Sequence, residues 1–315
     1  MRRTAGLVLM GLSSFLLVTA LMGWFYAPSA TQKTPLNVDS ETLLAGTATY
    51  LGEGPFKVKA VSRTVVDGDR SDDNVVVFTT VTCLVRDQNN PPGCVDKSDK
   101  RLINASSDEF ATDRKTGEAL QDEKYTSADD IHEGLINKFP FNVEQRTYPV
   151  WDGVLKKAVD AEFKGVEEID GLETYLFQVT VPETKAEVAA GTQGTYKDTK
   201  KMWIHPRTGS IINQKDDQLR KVGTLTALAL DLGFTDEQVA ANVDDARGND
   251  TKLGAVEKLP WGAAALALLS LIGGLLLLRG ARARREDDVV YANEADDPTI
   301  LDGLDDTTRR RDIHS

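Results

Sequence analysis

The chain has 315 residues, a hydrophobic content of 41%, a formal net charge of −12 and a mean hydropathy of −0.30. This composition excludes a collagen-like chain, a low-complexity chain and a small cysteine-rich scaffold. The acidic balance argues against nucleic acid as a partner, because phosphate binding requires an excess of lysine and arginine.

An uncharged stretch runs from Ala5 to Tyr26. A helix of that length measures about 33 Å, which is enough to cross the hydrocarbon core of a bilayer. The competing interpretation is a cleaved signal peptide, whose apolar region is shorter and ends in an Ala-x-Ala-like site. Residues 27–30 match that site poorly, so we predict an uncleaved transmembrane helix over residues 5–26.

A second uncharged stretch covers residues 259–278, and arginines follow it from Arg279 to Arg285. A soluble helix is rarely apolar on all sides over this length, so the stretch predicts a second transmembrane helix. Small residues at helical spacing on both spans predict that the two helices pack together. These residues are Gly6, Ser13 and Ala20 on the first span and Ala263, Ala267, Ser270 and Gly274 on the second.

Positive charge flanks the N-terminal end of the first predicted span and the C-terminal end of the second. By the positive-inside rule, residues 1–4 and 279–315 are expected in the cytoplasm and residues 27–258 outside it. The sequence therefore predicts a double-spanning plasma-membrane protein in contact with membrane lipids. The segment after Arg285 is acidic and poor in apolar residues, which predicts a disordered cytoplasmic tail.

Both cysteines, Cys83 and Cys94, lie in the predicted outer segment. In an oxidising compartment such a pair predicts a disulfide, with two buried free thiols as the alternative. The sequence between them contains Asn-Asn-Pro-Pro-Gly at residues 89–93, which favours a turn.

Strand patterns dominate the outer segment, with alternating or β-branched stretches separated by turn residues. We expect a β-rich (α+β) extracytoplasmic domain with an antiparallel, barrel-like sheet, held between two terminal transmembrane helices. The predicted strands cover residues 56–60, 74–85, 143–151, 172–181, 200–204 and 210–214, the last two flanking a turn at residues 205–209.

Two helices are predicted in the outer segment, over residues 129–138 and residues 235–247. In the second, Thr235 is the expected N-cap, Gln238 completes a capping box and Gly248 is expected to end the helix. The preceding stretch, residues 225–232, fits either a strand or a helix.

The sequence carries no phosphate loop, nucleophile elbow, zinc-protease motif or Cys-x-x-Cys pair, and it has only three histidines. We therefore expect neither a cofactor nor a metal. Acidic clusters at residues 67–73 and 96–99 could offer oxygen ligands to Ca²⁺. They lack the EF-hand spacing, however, which favours solvated loops.

The densest aromatic block covers residues 139–152. One interpretation is a ridge of the core. The other is the wall of an apolar ligand site, because ligand pockets are lined by aromatic side chains and a few polar groups. The candidate ligand wall consists of Phe139, Phe141, Arg146, Tyr148 and Trp151.

Two segments resemble a known family. They are Phe-Pro-Phe…Arg-Thr-Tyr-Pro-Val-Trp-Asp within residues 139–152 and Met-Trp-Ile-His-Pro-Arg-Thr-Gly-Ser-Ile-Ile at residues 202–212. Both resemble actinobacterial two-span envelope proteins of unknown function that are often labelled PorA-like. The resemblance extends over about residues 5–285. It implies a membrane protein of the mycolate-type or a related actinobacterial envelope, and it implies no catalytic residue.

Three functions follow as hypotheses. The first is a non-enzymatic cell-envelope protein whose outer domain binds a lipid, a glycolipid or another envelope protein. The second is a porin or channel subunit, as the family label suggests, although neither predicted span has a polar face to line a pore. The third is an envelope hydrolase that uses two carboxylates. Its candidate residues are Asp152, Glu167, Glu168 and Asp170.

Overall fold

The computed structural model describes residues 2–127 and 130–295. It divides into two compact units. The first unit comprises the chain up to Pro28 and from Gly254 onwards, and the second comprises Ser29–Leu253. The helices are α1 (Arg2–Phe25), the short α2 (Ala27–Thr31) and α3 (Asp236–Ala295).

The first unit contains α1 and the C-terminal part of α3. Each of these helices includes a stretch long and apolar enough to cross a membrane, and the two helices overlap the two predicted spans. At one end of the unit the rings of Trp24 and Trp261 meet edge to face, with centroids 5.3 Å apart.

Small residues line the contact between α1 and α3 within this unit. A Cβ on Gly6 would lie 3.2 Å from the backbone oxygen of Gly274, so the two backbones approach closely. The predicted packing of the two spans is therefore confirmed. The buried small residues are Gly6, Ser13 and Ala20 on α1 and Ala263, Ala267 and Gly274 on α3.

The second unit is built on one antiparallel sheet of 11 strands in the order β5-β4-β3-β2-β1-β11-β10-β9-β8-β7-β6. The first and last strands of the chain are therefore neighbours in the middle of the sheet. The strands are β1 (Asp39–Tyr50), β2 (Glu53–Asp67), β3 (Val75–Arg86), β4 (Leu102–Asp113), β5 (Ala119–Leu120), β6 (Tyr148–Asp152), β7 (Lys157–Ile169), β8 (Leu172–Ala189), β9 (Thr192–Ile204), β10 (Ile211–Val222) and β11 (Leu225–Phe234).

The sheet curls into a half-barrel, and its two edges are joined at Leu135. This residue forms an antiparallel bridge to Glu118, next to β5, and a parallel bridge to Val150 in β6. The Leu135 N–H donates to the Pro149 carbonyl at 2.8 Å, and the Leu135 carbonyl accepts from the Trp151 N–H at 2.7 Å. One short segment thus joins the two edges of the curled sheet.

The largest hydrophobic core lies in the half of this unit that β6 to β9 form. Its centre is an aromatic triad in which the Phe139 ring lies 4.8 Å from Phe177 and 5.4 Å from Tyr148. Met202 and Ile204 of β9 complete the cluster, and all five side chains are buried.

Each predicted strand overlaps an observed one, and the ambiguous stretch at residues 225–232 is part of β11. Strands β2, β8, β9 and β10 are longer than predicted, whereas β6 is shorter, because residues 143–147 precede it instead of belonging to it. Four strands were not predicted from the sequence: β1, β4, β5 and β7.

The helix predicted over residues 129–138 is wrong. Residues 130–138 contain no helix, because their backbone at residues 134–135 pairs with the sheet edges instead. The first residue of that stretch lies outside the described residues.

The helix predicted from Thr235 begins as expected, and the Gln238 N–H donates to Thr235 Oγ1 at 3.2 Å. The Gln238 side chain instead accepts a hydrogen bond from the Leu43 N–H, so only half of the capping box forms. Gly248 does not end the helix, because α3 runs on to Ala295. It thereby includes residues 286–295 of the tail expected to be disordered, and residues 296–315 lie outside the described residues.

The predicted disulfide between Cys83 and Cys94 is confirmed. It fastens the loop after β3 against the outer face of the sheet, where a Cβ on Gly93 would lie 2.9 Å from the Val61 side chain. Closing a loop of this size stabilises a domain by on the order of 3 kcal/mol, chiefly by restricting the unfolded chain.

Candidate functional site

A cavity of about 830 Å³ lies on the concave side of the sheet, between β4 on one side and β6, β9 and β10 on the other. The turn between β6 and β7 and the hairpin between β8 and β9 form part of its wall. Most of the residues that line the cavity carry a polar or charged side-chain group. Those residues are Ser106, Ser107, Asp108, Asp130, His132, Trp151, Asp152, Lys156, Glu187, Tyr196, Lys200, Gln218 and Arg220.

A second cavity of about 350 Å³ adjoins the first, and both are lined by Ser106 and Asp108. Its wall on β2 and β3 carries hydroxyl pairs that face each other across the strands. Ser62 Oγ lies 2.9 Å from Thr82 Oγ1. Two residues along, Thr64 Oγ1 lies 2.9 Å from Thr80 Oγ1. Polar groups therefore line these cavities both on the side of β2 to β4 and on the side of β9 and β10.

A hydrogen-bonded chain crosses the floor of the larger cavity. The Tyr196 hydroxyl donates to Asp152 Oδ2 at 2.9 Å and accepts from Gln218 Nε2 at 3.4 Å, and Gln218 Oε1 accepts from Arg220 Nε at 2.8 Å. Burial raises the pKa of Tyr196, and the charge of nearby Asp198 and Asp152 raises it further, so this hydroxyl remains a donor. Burial lowers the pKa of Arg220, although nearby acidic groups oppose that shift.

Behind this floor, Asp198 and Asp216 share the inner face of β9 and β10. Lys200 Nζ lies 3.4 Å from Asp216 Oδ2, whereas Asp198 is fully buried and neither of its carboxylate oxygens has a hydrogen-bond partner among the described residues. Burial raises the pKa of Asp198 well above its usual range, and the Asp216 carboxylate raises it further. A proton on Asp198 would satisfy one orphaned oxygen of this carboxyl pair.

His132 fastens the bridging segment to β4. Its Nε2 lies 3.0 Å from Asp108 Oδ2, and its ring packs between Phe110 and Trp151 with centroids 5.7 Å and 4.7 Å away. Burial lowers the pKa of His132, but the hydrogen bond and charge of Asp108, with the help of Asp130, outweigh burial and raise it overall. The cavity wall is therefore tied together where the sheet itself is open.

The five residues of the predicted ligand wall lie in different surroundings. Phe139 and Tyr148 belong to the buried core. Phe141 packs beneath the Lys138 ammonium at 3.8 Å. Arg146 is exposed, pairs with Glu144 at 2.8 Å and covers the Tyr148 ring. Of the five, the structure brings Trp151 to the cavity.

The two segments that carry the family resemblance pack against each other. The Phe139 N–H donates to the Gly209 carbonyl at 2.9 Å, and the Val143 N–H donates to the Pro206 carbonyl at 2.6 Å. Gly209 has a φ of +72°, and a Cβ there would lie 2.1 Å from the Phe139 carbonyl oxygen, so the turn requires glycine. His205 bonds Thr208 Oγ1 inside the same turn at 2.9 Å, which makes it a structural residue of the hairpin.

The structure does not bring the four hydrolase candidates together. Asp152 is buried at the cavity, and its backbone lies opposite Lys157 at the start of β7. Glu167 lies ten residues further along β7, about 33 Å away for an extended strand. Glu167, Glu168 and Asp170 are all exposed.

The acidic clusters considered for Ca²⁺ are held by protein groups. Asp72 accepts hydrogen bonds from Lys124 Nζ at 2.9 Å and from the Tyr125 hydroxyl at 2.7 Å. Asp96 and Asp99 bond the backbone two residues on. Within residues 2–127 and 130–295, no group of three or more acidic, histidine or cysteine side chains is placed to hold a metal ion.

Sequence reasoning missed the charged residues that alternate along the inner face of β9 and β10. Asp198, Lys200, Asp216 and Arg220 occupy every second position of these strands, as inward-facing residues do. The intervening positions also carry charge, Lys197, Lys201 and Asp217 among them. Because both faces are polar, the alternation gave no signal of which charges are buried.

A curled antiparallel sheet with a polar interior, together with two helices apolar enough to span a membrane, fits a membrane or envelope protein. The model of the family described as Porin PorA matches residues 5–276, and the chain belongs to that family. The resemblance to PorA-like proteins seen in the sequence is thereby confirmed.

Two relatives carry the same name. Porin PorA of Corynebacterium amycolatum is 26% identical over 125 residues, which are 36% of this chain and 31% of that protein. Porin PorA of Corynebacterium resistens is 24% identical over 317 positions, covering 68% of this chain and 75% of that protein. The match therefore spans less than a third of the first relative and three quarters of the second.

Among solved structures, a LolA superfamily protein from Nitrosomonas europaea aligns with 66% of this chain and 89% of its own. The identity is 8% and the TM-score is 0.15, so this likeness supports no inference.

Proposed function

We propose that this chain is a non-enzymatic cell-envelope membrane protein whose β domain, residues 29–253, holds a ligand in its interior cavity. The observation that carries the proposal is the cavity of about 830 Å³ on the concave side of the sheet. Its volume lies within the range of about 300–1,000 Å³ typical of small-molecule sites. A sheet that served only as a spacer would fill this side with close-packed side chains.

The polar wall supports the same proposal. Placing charged groups such as Asp152, Lys200 and Arg220 inside a domain costs free energy relative to apolar residues of similar size. Convergent polar groups in a cavity are what orients a bound molecule and gives a site its specificity. The lining is therefore suited to recognition and poorly suited to mere packing.

The binding proposal predicts that a small molecule co-purifies with the full-length protein. Ser106 lines both cavities, so Ser106→Trp should block the interior and reduce the bound amount about tenfold or more. Ala105 is its exposed neighbour on the opposite face of β4, so Ala105→Trp is the matched control and should retain the molecule. Mass spectrometry of the extracted ligand measures both. A wild type that carries no more than Ser106→Trp contradicts the proposal.

We further propose that both termini are cytoplasmic and that the β domain lies outside the plasma membrane. The support is the placement of Arg2 and Arg3 before one apolar helix and of Arg279 and Arg282 after the other. Alkaline phosphatase, which is active only after export, should be active when inserted at Gly191 and inactive when fused after Ser315. Gly191 is an exposed hairpin tip with open space around it, so an insertion there should not disturb the sheet. The opposite activity pattern would refute this topology.

A porin subunit is the second candidate, favoured by the family name and by the polar interior. The outer face of the sheet argues against strands that face lipid, because Lys197, Lys201, Lys215 and Asp217 are exposed there. A lysine or arginine on the lipid face of a membrane barrel costs about 2–4 kcal/mol at the bilayer midplane. Planar-bilayer recordings test this candidate. Discrete conductance steps that Ser106→Trp abolishes and Ala105→Trp preserves would favour the porin over the binding protein.

A further inference from the structure

We infer that the cavity binds a neutral, hydroxyl-rich ligand, that is, a carbohydrate, with a sugar ring against Trp151. This inference rests on the proposed function, because it names the chemical class of the molecule in the same cavity. Three features of the wall carry it: its balance of charge, its mixture of donors and acceptors, and the position of the tryptophan.

The charges of the cavity wall nearly balance. Its lining contains four carboxylates and three lysine or arginine side chains, together with His132, which is hydrogen-bonded to Asp108 at 3.0 Å. A wall of one sign would concentrate ligands of the opposite charge, whereas a balanced wall gives no such preference. The site therefore favours a molecule that hydrogen-bonds strongly without carrying net charge.

The wall offers donors and acceptors side by side. Carboxylates such as Glu187 only accept, Lys156 only donates, and the hydroxyls of Ser106 and Ser107 do both. A hydroxyl group also both donates and accepts, so a polyol can satisfy every kind of group on this wall. A hydrocarbon chain would offer these groups no hydrogen bond, and a buried polar group whose bonding capacity is left unused weakens binding.

Trp151 supplies an apolar surface within this polar wall. Its ring is held in place by the His132 ring at 4.7 Å, and its backbone N–H is fixed to the bridging residue Leu135. In the part of the chain that the structure describes, the indole N–H donates no hydrogen bond to the protein. An aromatic ring can bury the C–H face of a sugar while the indole N–H donates to one of its hydroxyls.

The test uses the full-length protein in a detergent without a sugar headgroup, titrated calorimetrically with maltotriose, galactotriose and mannotriose. At least one trisaccharide should bind saturably in the millimolar range or tighter. Trp151→Ala should weaken that binding about tenfold, which corresponds to roughly 1.4 kcal/mol. Trp203→Ala is the matched control, because Trp203 lies on β9 with its indole bonded to the exposed Glu167. It should leave the affinity unchanged.

Two further arms identify the source of the sugar and the failure of the inference. Dodecyl maltoside, added below its micellar concentration, should bind tighter than maltotriose if the natural ligand is a glycolipid, and equally if it is a free glycan. Palmitate that binds the wild type and not Ser106→Trp, without any sugar binding, overturns the carbohydrate class and leaves the proposed cavity function standing. Sugar binding that survives both Trp151→Ala and Ser106→Trp overturns the assignment of the site.

Discussion

Replacing Phe139 by alanine should lower the free energy of unfolding of the β domain by about 3–5 kcal/mol. The side chain is 2% exposed and packs against Phe177 at 4.8 Å and Tyr148 at 5.4 Å. Its removal would leave a cavity lined by two aromatic rings that the rigid hairpin at Gly209 prevents from closing. Denaturant unfolding of the full-length protein, followed by near-ultraviolet circular dichroism, measures the change.

Phe141 provides the control, because it lies two residues away in the same aromatic block. Its ring is half-buried and lies beneath the Lys138 ammonium, an interaction worth about 0.5–1 kcal/mol at a partly exposed site. Phe141→Ala should therefore reduce stability by no more than about 1 kcal/mol. Equal losses in the two variants would show that Phe139 is not the centre of the core.

This pair also shows where sequence reasoning stops. Phe139 and Phe141 are the same residue type in the same block, and the sequence offers both a core ridge and a ligand wall for them. The two rings lie in different surroundings because of the 202–212 hairpin, whose backbone is hydrogen-bonded directly to Phe139. Because that contact joins segments more than sixty residues apart, no local pattern could assign one ring to the core and Trp151 to the cavity.

Features that depend on local chemistry were predictable. The two apolar helices follow from uninterrupted hydrophobic stretches, the N-terminus of α3 follows from Thr235, and the disulfide follows from two cysteines around a turn. The helix prediction for residues 129–138 was wrong because the structure of residues 130–138 is set by contacts with distant parts of the chain. The backbone of this stretch pairs with the edges of β5 and β6 instead of forming a helix: Gly134 accepts a hydrogen bond from Ala119 of β5, and Leu135 is hydrogen-bonded to β6.

The buried carboxyl pair predicts a dependence of stability on pH that the sequence does not reveal. In the unfolded chain Asp198 ionises near pH 4, whereas burial and the Asp216 carboxylate keep it protonated to higher pH in the folded domain. Above the unfolded pKa the unfolded state therefore binds fewer protons than the folded state. The stability due to this group is complete below about pH 4 and is lost as the pH rises through the raised folded pKa.

Asp198→Asn removes the titrating proton while preserving the size of the side chain. We expect it to leave stability nearly unchanged near pH 5 and to raise it near pH 9 by on the order of 3 kcal/mol, the lower end of the cost of an uncompensated buried charge. Asp217→Asn, on the exposed outer face of β10, should change neither. The free energies of unfolding of the wild type and both variants, measured at pH 5 and pH 9, test this prediction. If Asp198 instead forms an ionised pair with Lys200, the asparagine variant will be less stable than the wild type near pH 9, because the Lys200 ammonium will have lost a partner.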